Sequence, residues 1–162
     1  MRVLTLSELI FINSRVTGIP ELAAGKRKVR DIALLEAAEQ RPLASAFGAD
    51  AYPELPDKIA ALFHSLVRNH PFTDGNKRTA TVAALFMAEI NGQRLAWDEA
   101  EALELIVGTA ETSTDVPELA AWFAAVLQPC SAAPEPDADL DAAAIDRLIH
   151  EHRWLLHELA SR

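Results

Sequence analysis

Apolar residues recur at three- and four-residue spacings through nearly every segment of the chain, while strand-like alternation is scarce, so the pattern predicts an all-α fold. No repeat appears at solenoid periods. Thr5-Leu6-Ser7-Glu8 has the Thr-x-x-Glu form in which two side chains satisfy free amides at a helix start. Leu9, Ile10, Ile12 and Val16 follow before Gly18, predicting a helix over 6–16. Asp31 can cap a second helix carrying Ile32, Leu34, Leu35 and Ala38, which Pro42 ends, over 31–41. From Leu43 to Pro53 the chain is rich in Ala, Gly and Pro without helical periodicity and reads as a surface loop or short hairpin. Pro56 suits the first turn of a third helix, whose Ile59, Leu62, Phe63, Leu66 and Val67 form an apolar stripe running to Arg68.

Thr79 to Ile90 differs from these, being apolar on almost every side before Asn91-Gly92, as expected of the central, buried helix. Two further helices are predicted over 98–110, with Asp98 as cap, and over 115–127. Residues 128–139 hold three prolines and little that could be buried, which is linker composition. The expected organisation is therefore a compact helical domain over 1–127, a linker over 128–139 and an amphipathic helix within 140–162. Ile145, Leu148, Ile149, Leu155, Leu156 and Leu159 form that helix's apolar stripe, which needs a partner: its own core, a second copy of the chain through 140–160, or another protein.

Composition narrows the function classes. With 162 residues, half of them hydrophobic, the chain can bury the core of one domain. Fifteen Lys and Arg against 24 acidic residues give a net charge of −9, which argues against direct nucleic-acid binding or attachment to anionic membranes. The single cysteine, Cys130, allows no internal disulfide, and residues 1–11 lack the pattern of a secretory leader. No apolar run reaches the length of a membrane span, so the expected compartment is the cytoplasm.

The chemistry is concentrated in residues 69–80, Asn-His-Pro-Phe-Thr-Asp-Gly-Asn-Lys-Arg-Thr-Ala, a dense polar cluster between an amphipathic helix and the most apolar helix of the chain. Gly75 and Asn76 tolerate unusual backbone angles, and the helix that starts there has amides without intrahelical partners; with the helix dipole they form an anion site. Lys77 and Arg78 lie in its first turn, where positive charge costs about 0.3–1 kcal/mol unless an anion is present, which points to a polyphosphate ligand. Asp74 just before the turn is a hard carboxylate suited to Mg²⁺ beside phosphates. His70 can deprotonate a hydroxyl aimed at phosphorus, and Phe72 alternates inward between His70 and Asp74, pinning the loop to the core. No Gly-x-x-x-x-Gly-Lys-Ser/Thr loop and no kinase-type glycine loop occurs anywhere, so a nucleotide would have to be held at this helix terminus.

His70-Pro71-Phe72-Thr73-Asp74-Gly75-Asn76-Lys77-Arg78 resembles the Fic motif, His-Pro-Phe-x-(Asp/Glu)-Gly-Asn-Gly-Arg, and more closely the variant of the Doc (death-on-curing) family. The resemblance extends over roughly residues 1–127, with Arg30-Asp31 and Leu34-Leu35-Glu36 also similar to Doc-like proteins. It implies a Fic/Doc-type helical bundle with His70 as base, Asp74 as magnesium ligand, Asn76 and Arg78 as phosphate ligands, Phe72 as core anchor and residues 42–53 as a flap that aligns a target protein. Lys77 stands where AMP-transferring Fic enzymes have glycine. A bulky cation there should displace the α- and β-phosphates and favour an inverted nucleotide with its γ-phosphate near His70, converting AMP transfer into phosphoryl transfer. By resemblance the product is a phosphorylated Ser or Thr of a target such as elongation factor Tu; Pro71 and Gly75, shared with the wider Fic pattern, keep AMP transfer as the alternative. Thr114 to Glu118 approaches the Fic self-inhibitory pattern but Leu119 departs from it, so the resemblance implies a separate antitoxin. A reading of another class is a catalytically silent helical module that assembles through its last helix.

Other polar groups have plainer expectations. His64 reads as a structural histidine, and His150, His152 and His157 as a solvated face, with only the first and last sharing a side. Trp97 and Trp122 read as packing residues that close the bundle, whereas Trp154 can mark a partner interface. Lys26, Arg27, Lys28 and Arg30 form a short basic run, read as a solvated loop that can also guide an acidic target or nucleotide.

Overall fold

A computed structural model describes residues 1–19, 28–112, 114–131 and 135–162. Helix α1 (Leu6–Thr17) begins with the reciprocal cap that Thr5 and Glu8 encode and ends at Gly18, whose φ of 70° is the left-handed conformation glycine adopts without penalty. Helix α2 (Ile32–Gln40) starts where the Asp31 carboxylate accepts from the Leu34 amide at 3.1 Å. A 3-10 turn over Arg41–Leu43 then leads into a hairpin of β1 (Ser45–Ala46) and β2 (Ala49–Asp50). Its two-residue loop has positive φ at both Phe47 and Gly48, the mirror-image turn that matches the twist of antiparallel strands. Residues 42–53 are therefore mainly a hairpin.

Helix α3 (Leu55–Asn69) and helix α4 (Asn76–Glu89) carry the loop between them. Every residue of α4 from Thr79 to Ala88 is buried, because α3, α1, α5 (Glu99–Glu111), α7 (Ala138–Glu151) and α8 (Arg153–Ala160) all pack on it. Its all-round apolar sequence is thus matched by an all-round protein environment. Helix α6 (Val116–Val126) lies on α3, where Phe123 meets Phe63 edge-on with centroids 5.5 Å apart.

Two features lie outside the sequence expectations. Strand β3 (Gln93–Leu95) pairs antiparallel with β4 (Leu127–Pro129), so the first residues of the expected linker are hydrogen-bonded to the bundle. The final amphipathic segment is also not one rod: it breaks at His152, so that α7 can pack on α1 and α4 while α8 packs on α5 and α4. Ile145, Leu148, Leu155, Leu156 and Leu159 are buried as a result. The stripe's partner, within one chain, is the bundle itself. Arg2 bridges Glu8 and Asp141, and Arg147 pairs with Glu89, bringing α7 against both α1 and α4.

Trp97 and Trp122 lie 5.7 Å apart between centroids, and His152 sits edge-on to Trp97 while its Nδ1 meets the Glu99 carboxylate at 3.1 Å. His150 and His157 are exposed, as is Trp154. Among the described residues, no helix is long and apolar enough to cross a membrane.

Candidate active site

The loop is assembled in two halves. In the first, α3 ends at Asn69 and His70 takes a left-handed backbone, φ 49° and ψ 57°. That conformation costs a non-glycine residue roughly 1–2 kcal/mol, so its surroundings must hold it. The segment after residue 27 does so. Val29 forms an antiparallel bridge with Phe72, the Arg30 and Asp31 amides donate to the Pro71 carbonyl at 2.8 and 3.1 Å, and the Thr73 amide donates to the Lys28 carbonyl at 3.0 Å. The Arg30 guanidinium adds Nε to the His70 carbonyl at 2.6 Å and Nη2 to the Asn69 carbonyl at 2.9 Å. Phe72 is 1% exposed within the core, and His70 is exposed. Of the basic run, Lys28 and Arg30 join this strap; Lys26 and Arg27 lie outside the described residues.

In the second half, Gly75 at φ 76° starts α4, and the Asp74 carboxylate accepts from its amide at 2.8 Å. A Cβ at Gly75 would lie 2.7 Å from Thr17 Cγ2, so glycine is required by sterics as well as by the backbone angle. Asn13, 1% exposed on α1, donates through Nδ2 to the Asp74 carbonyl at 2.8 Å and to the Thr79 hydroxyl at 3.1 Å. Its Oδ1 accepts from the Lys28 ammonium at 3.2 Å. Arg78 donates through Nη1 to the Val16 carbonyl at 2.8 Å, and its Nη2 lies 3.4 Å from Asp74 Oδ1. Asn76 joins the halves: its side chain accepts from the Phe72 amide and donates to the Phe72 carbonyl, both at 2.9 Å.

What remains available to a ligand follows from what is already engaged. Among the described residues no side chain caps α4, so the first-turn amides are left for an anion. Among the described residues, the Lys77 ammonium forms no hydrogen bond or ion pair, nor does the His70 imidazole. Asp74 is largely exposed and among the described residues engages Oδ1 alone, leaving Oδ2 for a hard cation. Among the described residues no three His, Cys, Asp or Glu side chains converge as a metal cluster, so Asp74 could hold Mg²⁺ only together with water and a phosphate-bearing ligand.

Loop and helices together match the Fic/DOC family model over residues 3–88, more than half of the chain. The chain belongs to the Fic/DOC family. It is 49% identical over 102 residues to a protein named Toxin Doc from Mycolicibacterium smegmatis, an alignment covering 62% of this chain and 78% of that protein. Fic/DOC proteins are generally nucleotide-dependent transferases, and the expected bundle with a central buried helix is the observed one.

Around the Fic/DOC loop, the hairpin of β1 and β2 is fixed at its base. The buried Lys58 ammonium donates to the Pro42 carbonyl at 2.9 Å, and Arg41 donates to Ser65 Oγ at 2.9 Å and the Tyr52 hydroxyl at 3.2 Å. A groove of about 610 Å³ lined by Ala37, Gln40, Leu43, Ser45 and Asn69 leads from the hairpin to the residue before His70. His64, 3.0 Å from Arg41, is structural: burial lowers its pKa first, then the charges of Arg41 and Arg68, opposed by the Thr114 carbonyl and Asp115.

Two contributors escaped the sequence reading. Asn13 had a visible signal, a polar residue on the buried stripe of α1 beside Leu9 and Ile12. Arg30 had none beyond family likeness, because its partners are 39 and 40 residues away.

Proposed function

We propose that this Fic/DOC chain is a Doc-type toxin that transfers the γ-phosphoryl group of ATP or another nucleoside triphosphate, with Mg²⁺, to a Ser or Thr hydroxyl of a target protein such as elongation factor Tu. The observation that carries the reading is Lys77: in the first turn of α4, beside unpaired helix amides, its ammonium has no partner among the described residues. A cation in that position is stabilised by bound phosphate, and its bulk disfavours the placement of α- and β-phosphates that AMP transfer needs. Gly75 lets the phosphates approach the backbone. Asn76 contributes its amide while its side chain holds Phe72, and Arg78 reaches phosphate from its place on the Val16 carbonyl.

The target hydroxyl loses its proton to His70 as its oxygen bonds to the γ-phosphorus. The bond from that phosphorus to the β-γ bridging oxygen breaks, and nucleoside diphosphate leaves. Mg²⁺ at Asp74 would neutralise the developing phosphate charge when bound. The target segment lies along the flap and the groove beside Leu43 and Ser45. A separate antitoxin restrains the enzyme, consistent with kinship to a protein named as a toxin.

The deciding experiment incubates the purified chain, beside His70→Ala, with cell lysate, Mg²⁺ and ATP labelled at the γ- or the α-phosphate. A His70-dependent γ-labelled band is the expected result. An α-labelled band would instead favour AMP transfer, the reading that Pro71 and Gly75 share with the wider Fic pattern, and Lys77→Gly should then increase it. Absence of label from both, together with a growth effect that survives His70→Ala, would identify a silent interaction module.

A further inference from the structure

We propose that Arg30 is the positioning residue for His70, holding the imidazole's backbone in its left-handed conformation; the inference rests on the reading of His70 as the base. In the Schellman form of a left-handed helix end, the amide of the residue after the left-handed one donates back to a carbonyl of the last turn. Here the following residue is Pro71, which has no amide hydrogen. That bond is unavailable, so the non-glycine residue at the turn lacks the Schellman support.

Residues 30 and 31 replace it from outside the helix. Four donors meet three successive carbonyls: Arg30 Nη2 on Asn69 at 2.9 Å, Arg30 Nε on His70 at 2.6 Å, and the Arg30 and Asp31 amides on Pro71 at 2.8 and 3.1 Å. The forked guanidinium spans two adjacent carbonyls at once, which a lysine ammonium on a flexible stem does not reproduce. Its charge also lies at the C-terminus of α3, where it is favoured by the helix dipole. The two side-chain bonds are at the surface, so they direct His70 while contributing little to the core.

The test compares Arg30→Ala and Arg30→Lys with the parent chain in the label-transfer assay, with added guanidinium chloride as a rescue reagent. At saturating ATP the rate should fall about a hundredfold in both variants, the loss expected for a base displaced by about 1 Å, with the KM for ATP unchanged. Guanidinium should partly restore Arg30→Ala, and millimolar Na⁺ should not. Independently of activity, the Cα and Cβ NMR shifts of His70 should show the positive-φ signature in the parent and lose it in both variants. Full rates in either variant, or an unchanged His70 signature, would overturn the proposal. If the parent transfers no label, the functional reading fails and the His70 shifts alone decide whether Arg30 sets the turn.

Discussion

The two halves of the loop are built to different standards. Residues 69–73 are strapped from outside by residues 28–31, through backbone bonds and an exposed guanidinium. Residues 74–79 are set into α1, through a buried asparagine, a glycine with no room for a methyl group and an arginine on a helix carbonyl. On the proposed reaction, the strapped half carries the group that would move a proton, and the inset half the amides and cations that would meet phosphate. Anion binding by oriented amides depends on a fixed backbone, whereas a general base needs aim and access to its substrate. Breaking the first half should therefore cost rate with little stability, and breaking the second should cost both.

The largest expected effect is His70→Ala, which should reduce label transfer by about 10²- to 10⁴-fold, the usual contribution of a general base. Because the imidazole makes no hydrogen bond among the described residues, thermal unfolding should hardly change. A sharper form is His70→Gly: it should abolish transfer yet raise stability by about 1 kcal/mol, since glycine adopts the left-handed backbone without the side-chain penalty. A destabilised His70→Gly protein would show that the left-handed turn is not under strain.

Gly75→Ala attacks the inset half. The new Cβ meets Thr17 Cγ2 at 2.7 Å at a backbone angle alanine disfavours, so a loss of about 2–4 kcal/mol on denaturant unfolding is expected, with transfer lost as well. Thr17→Ser removes that methyl group and keeps the hydroxyl that donates to the Asn13 carbonyl at 2.7 Å. The double variant should recover the steric part of the loss and leave the backbone part, an interaction a double-mutant cycle reads directly. Purely additive losses would mean that Thr17 does not set the spacing.

Asn13→Leu should follow, at about 1–3 kcal/mol, because it leaves the Asp74 carbonyl and Thr79 hydroxyl without a donor in a buried place. The measurement that separates the halves is the Mg²⁺ dependence of transfer. It should shift for Asn13→Leu, which frees Asp74, and stay put for Arg30→Ala.

Helix positions were legible where the signal was local. Thr5 with Glu8, Asp31, Asp98 and Gly18 each stop or start a helix through contacts within four residues, and the apolar run of α4 announced a helix surrounded by others. The pairing of Gln93–Leu95 with Leu127–Pro129 was not legible, since three-residue strands carry no periodicity and their partners lie over thirty residues apart. Nor was the break at His152, where the apolar stripe continues in sequence but turns to follow the bundle. In the loop, residue types suggest a chemistry but not which side chains hold the fold. Asn76, expected to bind phosphate, spends its side chain on Phe72, an assignment that depends on how close residue 76 returns to residue 72 in space.

The smallest predicted effect lies at the base of the β1–β2 hairpin and extends the comparison to a third region, one whose anchoring includes a titrating group. His64 sits beside Arg41, with Arg68, the Thr114 carbonyl and Asp115 around it, and burial above all lowers its pKa below the ordinary value of 6.5. The unfolded chain then binds more protons at this site than the folded one, between the folded value and about 6.5, so stability rises with pH across that window. His64's contribution is complete above about pH 6.5 and declines as pH falls toward the folded value, where the imidazolium would face the Arg41 guanidinium. Urea unfolding from pH 5 to 7.5 should show this rise in the parent chain and a flatter curve in His64→Gln, whereas the Arg30 and Asn13 variants should keep the parent's slope. An equal slope in His64→Gln would place the titration elsewhere in the chain.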